Sequence, residues 1–336
     1  MELTLNPGAL TLEDLQAVHR GEARLQLADA AWPLVQASAA VVARAAAGQA
    51  PVYGVNTGFG KLAGVRISEG DLALLQLNLL RSHSVGVGAA LPAPVVRLML
   101  ALKAASLARG ASGVRPVIIE TLLQVLNAGL VPWVPSQGSV GASGDLAPLS
   151  HMTLALIGEG EAMRGTDRLE GTAVMEAVGL EPLQPEAKEG LALLNGTQLS
   201  LALSLEGLLQ AERLLDASIV ACALTVEGLA GSHAPFDERI QQASRLPGQI
   251  AVARKLRRLL TDSEIRRSHE HCERVQDPYA VRCMPQVFGA VQHTIDHARE
   301  ILAAALNGVS DNPLIFGRDI LSGGNFHAEP IGFISD

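Results

Sequence analysis

The chain has 336 residues, of which 48% are hydrophobic and only 18% are charged, and its formal net charge is −8 at pH 7. An acidic chain argues against a nucleic-acid partner, because the phosphate backbone favours a basic protein surface. No uninterrupted apolar run reaches the ~18 residues that suggest a membrane-spanning helix, so we expect no membrane partner. The apolar surplus instead predicts interfaces between subunits, which resemble a domain core cut in half.

The cysteines and the N-terminus bear on the cellular compartment. Cys222, Cys272 and Cys283 are scattered and odd in number, which indicates reduced thiols rather than a disulfide framework. The first ten residues lack the charged-then-apolar layout of a signal peptide. Both observations predict a cytoplasmic protein.

The first half of the chain alternates predicted helices with glycine-rich segments. A capping box at residues 11–14 (TLED) predicts a helix start, and an Ala-rich helix is expected over residues 30–47. Residues 48–66 hold five glycines and a proline, which predicts a long loop with at most one short strand. Helical periodicity returns over residues 70–110, and a second segment rich in glycine, proline and serine follows at residues 131–150.

The second half is predicted to be almost entirely helical. Helices are expected over residues 197–230, 249–271 and 285–306, the first of them apolar over much of its circumference and therefore buried in a bundle. We predict a mainly α fold, in which a long-helix bundle accompanies a smaller mixed N-terminal domain. The domain boundaries are predicted as 1–196 for the N-terminal domain and 197–336 for the first part of the bundle.

The most informative run is GSVGASGDLAPLSH at residues 138–151. One interpretation is a turn of small residues between helices, and another is a phosphate-binding loop, since glycines let backbone amides approach an anion. However, the phosphate-binding loop requires lysine after its last glycine, where this chain has Asp145. A carboxylate there would repel phosphate and disfavours that interpretation.

A third interpretation makes the same run reactive. If the chain bends tightly, the amide nitrogen of Gly144 can approach the carbonyl carbon of Ala142, because glycine has no Cβ to block the bend. Attack closes a five-membered ring, and loss of two waters, one drawing on the Ser143 hydroxyl, leaves an exocyclic methylene. The product is an electrophile that no ordinary side chain supplies, and it would serve as a built-in cofactor.

This run resembles the signature of the aromatic amino acid ammonia-lyases, whose electrophile is 4-methylidene-imidazol-5-one (MIO). Four other segments resemble motifs of the same family, in the same order: YGVNTGFG at 53–60, LNGTQ at 194–198, QDPYAVRCMPQ at 276–286 and SGGNFHAEP at 322–330. On these five motifs the chain is identified as a member of that family. Members usually run considerably longer, so the resemblance implies that this chain is truncated on its C-terminal side and lacks the family's C-terminal acidic residue.

The substrate is indicated by one pair of residues. Ser82 and His83 resemble the histidine branch, where the phenylalanine and tyrosine enzymes carry Phe-Leu or His-Leu. A polar pair suits an imidazole, which needs hydrogen-bond partners. The resemblance implies elimination of ammonia from L-histidine to give trans-urocanate. The alternatives are a tyrosine ammonia-lyase or aminomutase of the same family, or a truncated and catalytically inactive subunit.

The resemblance also implies the catalytic residues. Ala142, Ser143 and Gly144 would form the MIO ring, and Asp145 would assist ring formation rather than turnover. Tyr53 is the expected base for the β-proton, although a tyrosine must be activated to deprotonate carbon at neutral pH. The alternative role for Tyr53 is that of a loop anchor packed on the domain.

Substrate-binding roles follow in the same way. Tyr279 is expected beside the electrophile, and Arg282 is expected to hold the substrate carboxylate through a bidentate pair. If that segment is helical, the two residues share a helix face. Asn195 and Gln276 are implied as hydrogen-bonding groups around the amine, the carboxylate and the MIO oxygen. A structural ion pair is the alternative for Arg282.

The remaining implied residues concern the imidazole. His83 is expected to contact it, with a hydrogen-bonded core histidine as the alternative, and Phe326 is expected to line the pocket. His293 and His297 lie at i, i+4 spacing but lack the adjacent glutamate of a zinc-binding His-Glu-x-x-His helix, so no metal is predicted. The family resemblance further implies a homotetramer with shared active sites and no external cofactor.

Overall fold

The computed structural model describes residues 1–269 and 271–335. Glu270, inside the predicted helix 249–271, and Asp336, at the end of the predicted second domain, lie outside the described residues. The described chain is mainly helical, as predicted. Its helices are α1 (Leu12–Arg20), α2 (Trp32–Ala47), α3 (Leu72–His83), α4 (Ala93–Leu107), α5 (Pro116–Asn127), α6 (Leu146–Leu156), α7 (Ala173–Glu176), α8 (Glu189–Leu194), α9 (Gln198–Gly228), α10 (Glu238–Ser244), α11 (Pro247–Leu259), α12 (Glu264–Ser268), α13 (Tyr279–Arg282), α14 (Met284–Ala305) and α15 (Glu329–Gly332).

The strands are short and form four small sheets among the described residues. β1 (Glu2–Leu5) pairs in parallel with β2 (Arg24–Leu27). The other pairings are antiparallel: β3 (Val87–Ala90) with β5 (Pro135–Gln137), β6 (Glu161–Arg164) with both β4 (Val131–Pro132) and β7 (Asp167–Glu170), and β8 (Leu314–Phe316) with β9 (Asp319–Leu321). β-Structure is therefore minor, as predicted.

The described chain forms two compact units. The first comprises residues 1–204 and 302–335, and the second comprises residues 205–301. A boundary is predicted after residue 196, whereas the second unit begins at residue 205 and the segment from residue 302 onwards belongs to the first unit. One reason is that Asn307 bonds to the backbone of Leu10 in both directions, accepting from its N–H at 2.8 Å and donating to its carbonyl at 3.0 Å.

The core of the first unit is built on α4. This helix packs against α1 and α5, and every residue from Leu98 to Leu107 is buried. Burial of so many apolar side chains is the main favourable term in folding. Lys103 is the one charged residue in this buried stretch.

Three other helices of the first unit pack pairwise and carry candidate site residues at their ends. They are α3, α6 and α8. α3 ends at His83, α6 begins directly after Asp145, and α8 ends directly before Asn195. One packing arrangement therefore fixes three of the segments that the sequence analysis singled out.

The second unit contains α10 to α13 and most of α9 and α14. The predicted helices over 197–230 and 285–306 are confirmed as α9 and α14. The single helix predicted over 249–271 is wrong, because the chain breaks it into α11 and α12. Asp262 adopts a left-handed conformation (φ 59°), and the Ser263 hydroxyl accepts from Arg266 N at 3.0 Å to cap the second helix.

Helices α11 and α14 approach closely through a pair of glycines. A Cβ on Gly248 would lie 2.2 Å from the carbonyl oxygen of Gly289, so no larger residue fits. The burial predicted for α9 is found on one side of the helix, whereas Leu214 and Leu224 are 69% and 68% exposed. In the part of the chain that the structure describes, no helix has the length and apolar character needed to span a membrane.

Candidate active site

The ring-precursor segment, residues 142–144, lies in a tight bend between β5 and α6. An isolated bridge relates Ala142 to Gly144 across Ser143, and Gly144 N donates to the carbonyl oxygen of Gly141 at 3.4 Å. Gly141 and Gly144 both have positive φ, 68° and 85°, a conformation that glycine adopts without steric cost. Ala142 and Ser143 are exposed, whereas Gly144 is buried. The backbone thus has the bend that ring closure between residues 142 and 144 requires.

Gly144 is also required by a close backbone contact. A Cβ at this position would lie 2.5 Å from the carbonyl oxygen of Gly196. The same carbonyl accepts a hydrogen bond from Asp145 N at 2.7 Å. Residues 194–198 therefore pack directly on the C-terminal side of the ring-precursor segment.

Asn195 contacts the ring-precursor segment through its side chain. Its Nδ2 donates to the carbonyl oxygen of Ser143 at 2.9 Å, and the residue is buried. Ring closure between residues 142 and 144 would keep that carbonyl as the ring oxygen. Asn195 is thus in direct contact with the backbone of the ring-precursor segment.

Asp145 is fully buried, and its carboxylate bonds to the segment before the bend and to the start of α9. Its Oδ1 accepts from the hydroxyls of Ser139 and Ser200, each at 2.7 Å, and its Oδ2 accepts from Ser200 N at 2.8 Å. Hydrogen bonds to a carboxylate are among the strong ones in proteins. Ser200 was missed by the sequence analysis, although its position in the first turn of α9, five residues after Asn195, is a usable signal.

The segment after His83 lies beside the start of the 138–151 run. β3 and β5 are antiparallel, with Val87 opposite Gln137, so the residues before Val87 run alongside those after Gln137. A Cβ on Gly138 would lie 3.1 Å from the Cα of Gly86. Gly86 N also donates to Nε2 of His151 at 3.0 Å, and burial lowers the pKa of His151, which favours the neutral ring this bond needs.

One ring nitrogen of His83 bonds to the backbone of its own helix. Its Nδ1 lies 2.8 Å from the carbonyl oxygen of Leu79. Because a carbonyl can only accept, Nδ1 carries the hydrogen. In the neutral ring Nε2 is then an acceptor, which is the role that a partner with an N–H group requires.

The loop that carries Tyr53 (residues 48–66) is held by a buried amide. Asn56 Oδ1 accepts from Val52 N at 2.7 Å, and its Nδ2 donates to the carbonyls of Ala45 and Ala50 at 3.1 and 3.0 Å. All the hydrogen-bonding capacity of its NH₂ group is used, which fixes the loop against the end of α2. The strand considered for this loop does not form, since only an isolated bridge joins Thr57 to Arg66.

Tyr53 is half-buried at the surface of this loop. Its ring meets Phe59 edge-to-face, with centroids 6.2 Å apart and an interplanar angle of 89°. It lines a cavity of about 570 Å³ together with Pro313 and Ser322. The first and last of the five sequence motifs therefore share one cavity in the first unit.

Removal of the Asn56 amide should loosen the Tyr53 loop. Asn56→Ala leaves one N–H and two carbonyls without this partner, so we expect the free energy of unfolding to fall by about 2 to 4 kcal/mol. Denaturant unfolding measures the change, and limited proteolysis should show faster cleavage within residues 48–66. The exposed Asn78→Ala is the matched control, expected within about 0.5 kcal/mol of the parent. Equal unfolding free energies and equal cleavage rates for the two variants would contradict this role of Asn56.

The last motif, residues 322–330, also reaches the ring-precursor region. Ala328 N donates to the carbonyl oxygen of Gly141 at 3.0 Å. The Asn312 side chain fixes the start of the motif, donating to Ser322 Oγ at 2.9 Å and accepting from Gly323 N at 2.6 Å. Phe326 lies within this motif and is half-buried.

The second unit contains the other three predicted site residues, and they contact each other. α13 is a single turn, and Arg282 lies with its guanidinium carbon 5.7 Å from the centre of the Tyr279 ring, so the expected shared helix face is confirmed. The Gln276 amide, with its oxygen towards the guanidinium, accepts from the Arg282 nitrogens at 2.6 to 3.1 Å. Arg282 Nε also donates to the carbonyl of Asp277 at 3.0 Å, and Tyr279 is 73% exposed.

A buried lysine lies behind the 194–198 motif. Lys103 is 1% exposed, and its Nζ donates to the carbonyls of Ala192 and Asn195 at 2.9 and 2.8 Å. Burial lowers its pKa from 10.5 to about 7, although the nearby carboxylates of Asp311 and Asp145 raise it and Lys188 lowers it further. Lys103 stands in no motif of the sequence and was not predicted as a site residue.

The lowered pKa of Lys103 predicts a pH-dependent stability. Between pH 7 and 10.5 the unfolded chain binds a proton that the folded chain releases, so the contribution of Lys103 to stability rises with pH in that window. Lys103→Met lacks the titrating group. We therefore expect the unfolding free energy of the parent, relative to that of Lys103→Met, to increase with pH by up to about 1.4 kcal/mol per pH unit. Denaturant unfolding at pH 7, 8 and 9 measures it. A difference that stays constant over this range would contradict the lowered pKa.

The paired histidines do not form part of a larger ligand cluster in the structure. His293 and His297 both lie on α14. Within residues 1–269 and 271–335, no group of three or more histidine, cysteine, aspartate or glutamate side chains could hold a metal ion.

Sequence comparison relates nearly the whole chain to one family. The family model described as aromatic amino acid lyase matches residues 10–336. The chain is 52% identical over 336 residues to the histidine ammonia-lyase of Paracidovorax citrulli, covering 99% of this chain and 66% of that protein. It is 51% identical to the histidine ammonia-lyase of Aromatoleum aromaticum, with coverages of 99% and 64%. The chain thus spans slightly less than two-thirds of the length of these relatives.

Solved structures agree with this relationship. Histidine ammonia-lyase from Trypanosoma cruzi matches with a TM-score of 0.89 and 36% identity, covering 99% of this chain and 63% of that one. Tyrosine aminomutase from Streptomyces globisporus matches with a TM-score of 0.91 and 35% identity, covering 99% and 67%. The described chain therefore has the fold of these enzymes over nearly its full length.

Proposed function

Because the chain belongs to the aromatic amino acid lyase family, we propose that it acts in the elimination of ammonia from L-histidine to give trans-urocanate. The proposed electrophile is MIO, formed from Ala142, Ser143 and Gly144. The observation that carries the proposal is the bend at this segment, in which residues 142 and 144 pair across Ser143 while Asn195 donates to the Ser143 carbonyl.

The residues of the bend fit the ring. The amide nitrogen of Gly144 forms a bond to the carbonyl carbon of Ala142, and the former carbonyl oxygen leaves as water with the amide hydrogens of Gly144 and Ser143. The Ser143 hydroxyl leaves as a second water with the Cα hydrogen of the same residue. No oxidant, reductant or second reactant is needed. The close contact of Gly144 with the Gly196 carbonyl supports this fit, because it leaves no room for a side chain.

Asp145 is proposed to support this step as an anchor. Its buried carboxylate accepts from Ser139 on one side of the bend and from Ser200 on α9. These bonds hold the N-terminus of α6, and with it the Gly144 nitrogen, in place while the bond to Ala142 forms. Asp145 needs no role in turnover.

When formed, the MIO ring supplies an electrophile that makes the amine a better leaving group and the β-proton more acidic. The chain's own side chains would do the rest. Tyr53 would take the β-proton, and Arg282 would hold the substrate carboxylate by a charge-assisted pair. Tyr279 and Gln276, which contact Arg282, would position it and the amine. Such orientation lowers the barrier because the entropy of alignment is lost on binding.

Histidine as substrate is supported by His83. With Nδ1 donating to the Leu79 carbonyl, Nε2 is an acceptor whenever the ring is uncharged, and an imidazole N–H is a suitable donor to it. Phe326 would line the same pocket. The two curated relatives described above carry histidine in their names, which supports the same substrate.

A cytoplasmic homotetramer with shared active sites is part of the proposal. Exposed apolar side chains on the second unit support it, because large apolar patches on a soluble protein usually mark interfaces. Examples on α9 and α14 are Leu214, Leu224, Val287 and Val291. No cofactor beyond the chain's own ring is proposed.

Product assays on three amino acids test the substrate. The purified chain is incubated with L-histidine, L-tyrosine and L-phenylalanine, and urocanate, coumarate, cinnamate and β-amino acids are measured. Urocanate from histidine alone is the expected result. Coumarate or a β-amino acid would favour the tyrosine lyase or aminomutase, which the tyrosine aminomutase neighbour makes the natural second candidate. A dehydrated chain that yields no product would favour an inactive subunit.

A further inference from the structure

The buried Lys103 caps the end of a short helix. α8 has six residues, and the last carbonyls of any helix lack partners within it. Lys103 donates to two carbonyls at this end, those of Ala192 and Asn195. Lys103 therefore fixes the turn formed by residues 192–196.

The opposite side of that turn holds the ring-precursor segment. Asn195 Nδ2 donates to the Ser143 carbonyl at 2.9 Å, and the Gly196 carbonyl accepts from Asp145 N at 2.7 Å. These two bonds lie on either side of Gly144, the residue whose nitrogen must reach Ala142. The turn thus connects Lys103 through hydrogen bonds to the backbone on both sides of Gly144.

Resting on the proposed function, we propose that Lys103 is a positioning residue for ring formation. By holding the carbonyl of Asn195, it sets the direction from which the Asn195 amide meets Ser143. It does not touch the reacting atoms and is not a catalytic residue. Without it, the buried carbonyls of Ala192 and Asn195 lose their shared donor, and the turn is held less firmly in its present geometry.

The second buried lysine of the same unit provides a matched comparison. Lys188 is also fully buried, and its Nζ pairs with Asp311 at 2.7 Å and donates to the Ser112 carbonyl at 2.6 Å. Both of these partners lie outside the 192–196 turn. Substitution of Lys188 therefore disturbs a buried cation without removing a bond to the turn.

The test compares Lys103→Gln with Lys188→Gln and the parent in the full chain. Glutamine is chosen because it is polar and uncharged, and because its side chain is one atom shorter than that of lysine, which weakens the two bonds to the carbonyls of Ala192 and Asn195. Each chain is isolated as the folded fraction by size exclusion after increasing times of expression. Intact mass then gives the fraction that has lost two waters, and denaturant unfolding gives the stability of each variant.

We expect Lys103→Gln to lose water about tenfold more slowly than the parent, or more slowly still. Lys188→Gln is expected to dehydrate at the parent's rate even if it is equally destabilised. Dehydration of Lys103→Gln at the parent's rate, or equal slowing of both variants, would overturn the positioning role. If the parent itself loses no water, the proposed function fails instead, so the two failures are distinguishable.

Discussion

Ser143→Ala is expected to abolish the two-water deficit and to lower turnover by on the order of 10³-fold or more, as removal of a covalent catalyst typically does. Without the Ser143 hydroxyl no exocyclic methylene can form, although closure between Gly144 and Ala142 could still release one water. The backbone bend and the Asn195 bond to the Ser143 carbonyl involve no atom that the substitution removes. The loss of turnover should therefore come from the missing electrophile and not from a change in the fold.

Intact mass, urocanate formation and unfolding free energy measured on one preparation test this prediction. Ser150→Ala is the matched control in the same sequence run. The Ser150 hydroxyl is fully buried and has no hydrogen-bond partner among the described residues, so its removal should change neither the mass deficit nor the rate. Substantial turnover by Ser143→Ala would exclude an electrophile made from this residue.

Tyr53→Phe should separate ring formation from catalysis. The phenol hydroxyl is lost while the edge-to-face contact with Phe59 can persist. We therefore expect a normal two-water deficit with turnover lowered about 10²- to 10⁴-fold, the range for removal of a general base. If Tyr53 only anchors its loop, the same variant should retain nearly full activity.

Phe59→Leu is the complementary variant for Tyr53. It removes the packing partner of Tyr53 but keeps the Tyr53 hydroxyl. If Tyr53 is the base, we therefore expect a smaller loss of turnover than for Tyr53→Phe. Proteolysis of residues 48–66 reports on loop order in both variants. The opposite ranking, with Phe59→Leu the more damaging, would assign Tyr53 to loop anchoring.

Local signals predicted much of the helical structure. The capping box at Thr11 is present with both of its bonds, and α9 and α14 begin and end close to their predicted limits, because their apolar runs are long and free of interior proline. The prediction for residues 70–110 missed β3 between α3 and α4. That strand owes its existence to β5, about fifty residues away, and periodicity within one segment does not report such a partner.

The same limit explains what was missed at the site. Residues 142–145 and Asn195 stand in recognisable motifs, and the structure places them in contact. Lys103 stands in an apolar helix and bonds to backbone carbonyls 89 and 92 positions away. Any residue type can supply a carbonyl, so those partners leave no side-chain pattern in the sequence. Burial in the folded chain is what identifies this lysine.

Intact mass of the purified, unsubstituted chain tests the central claim most directly. A mass lower than that of the encoded sequence by two waters, with the deficit mapped by peptide analysis to residues 142–144, is the result we predict. A full encoded mass in folded protein would contradict it, because the chain would then contain no ring and no built-in electrophile.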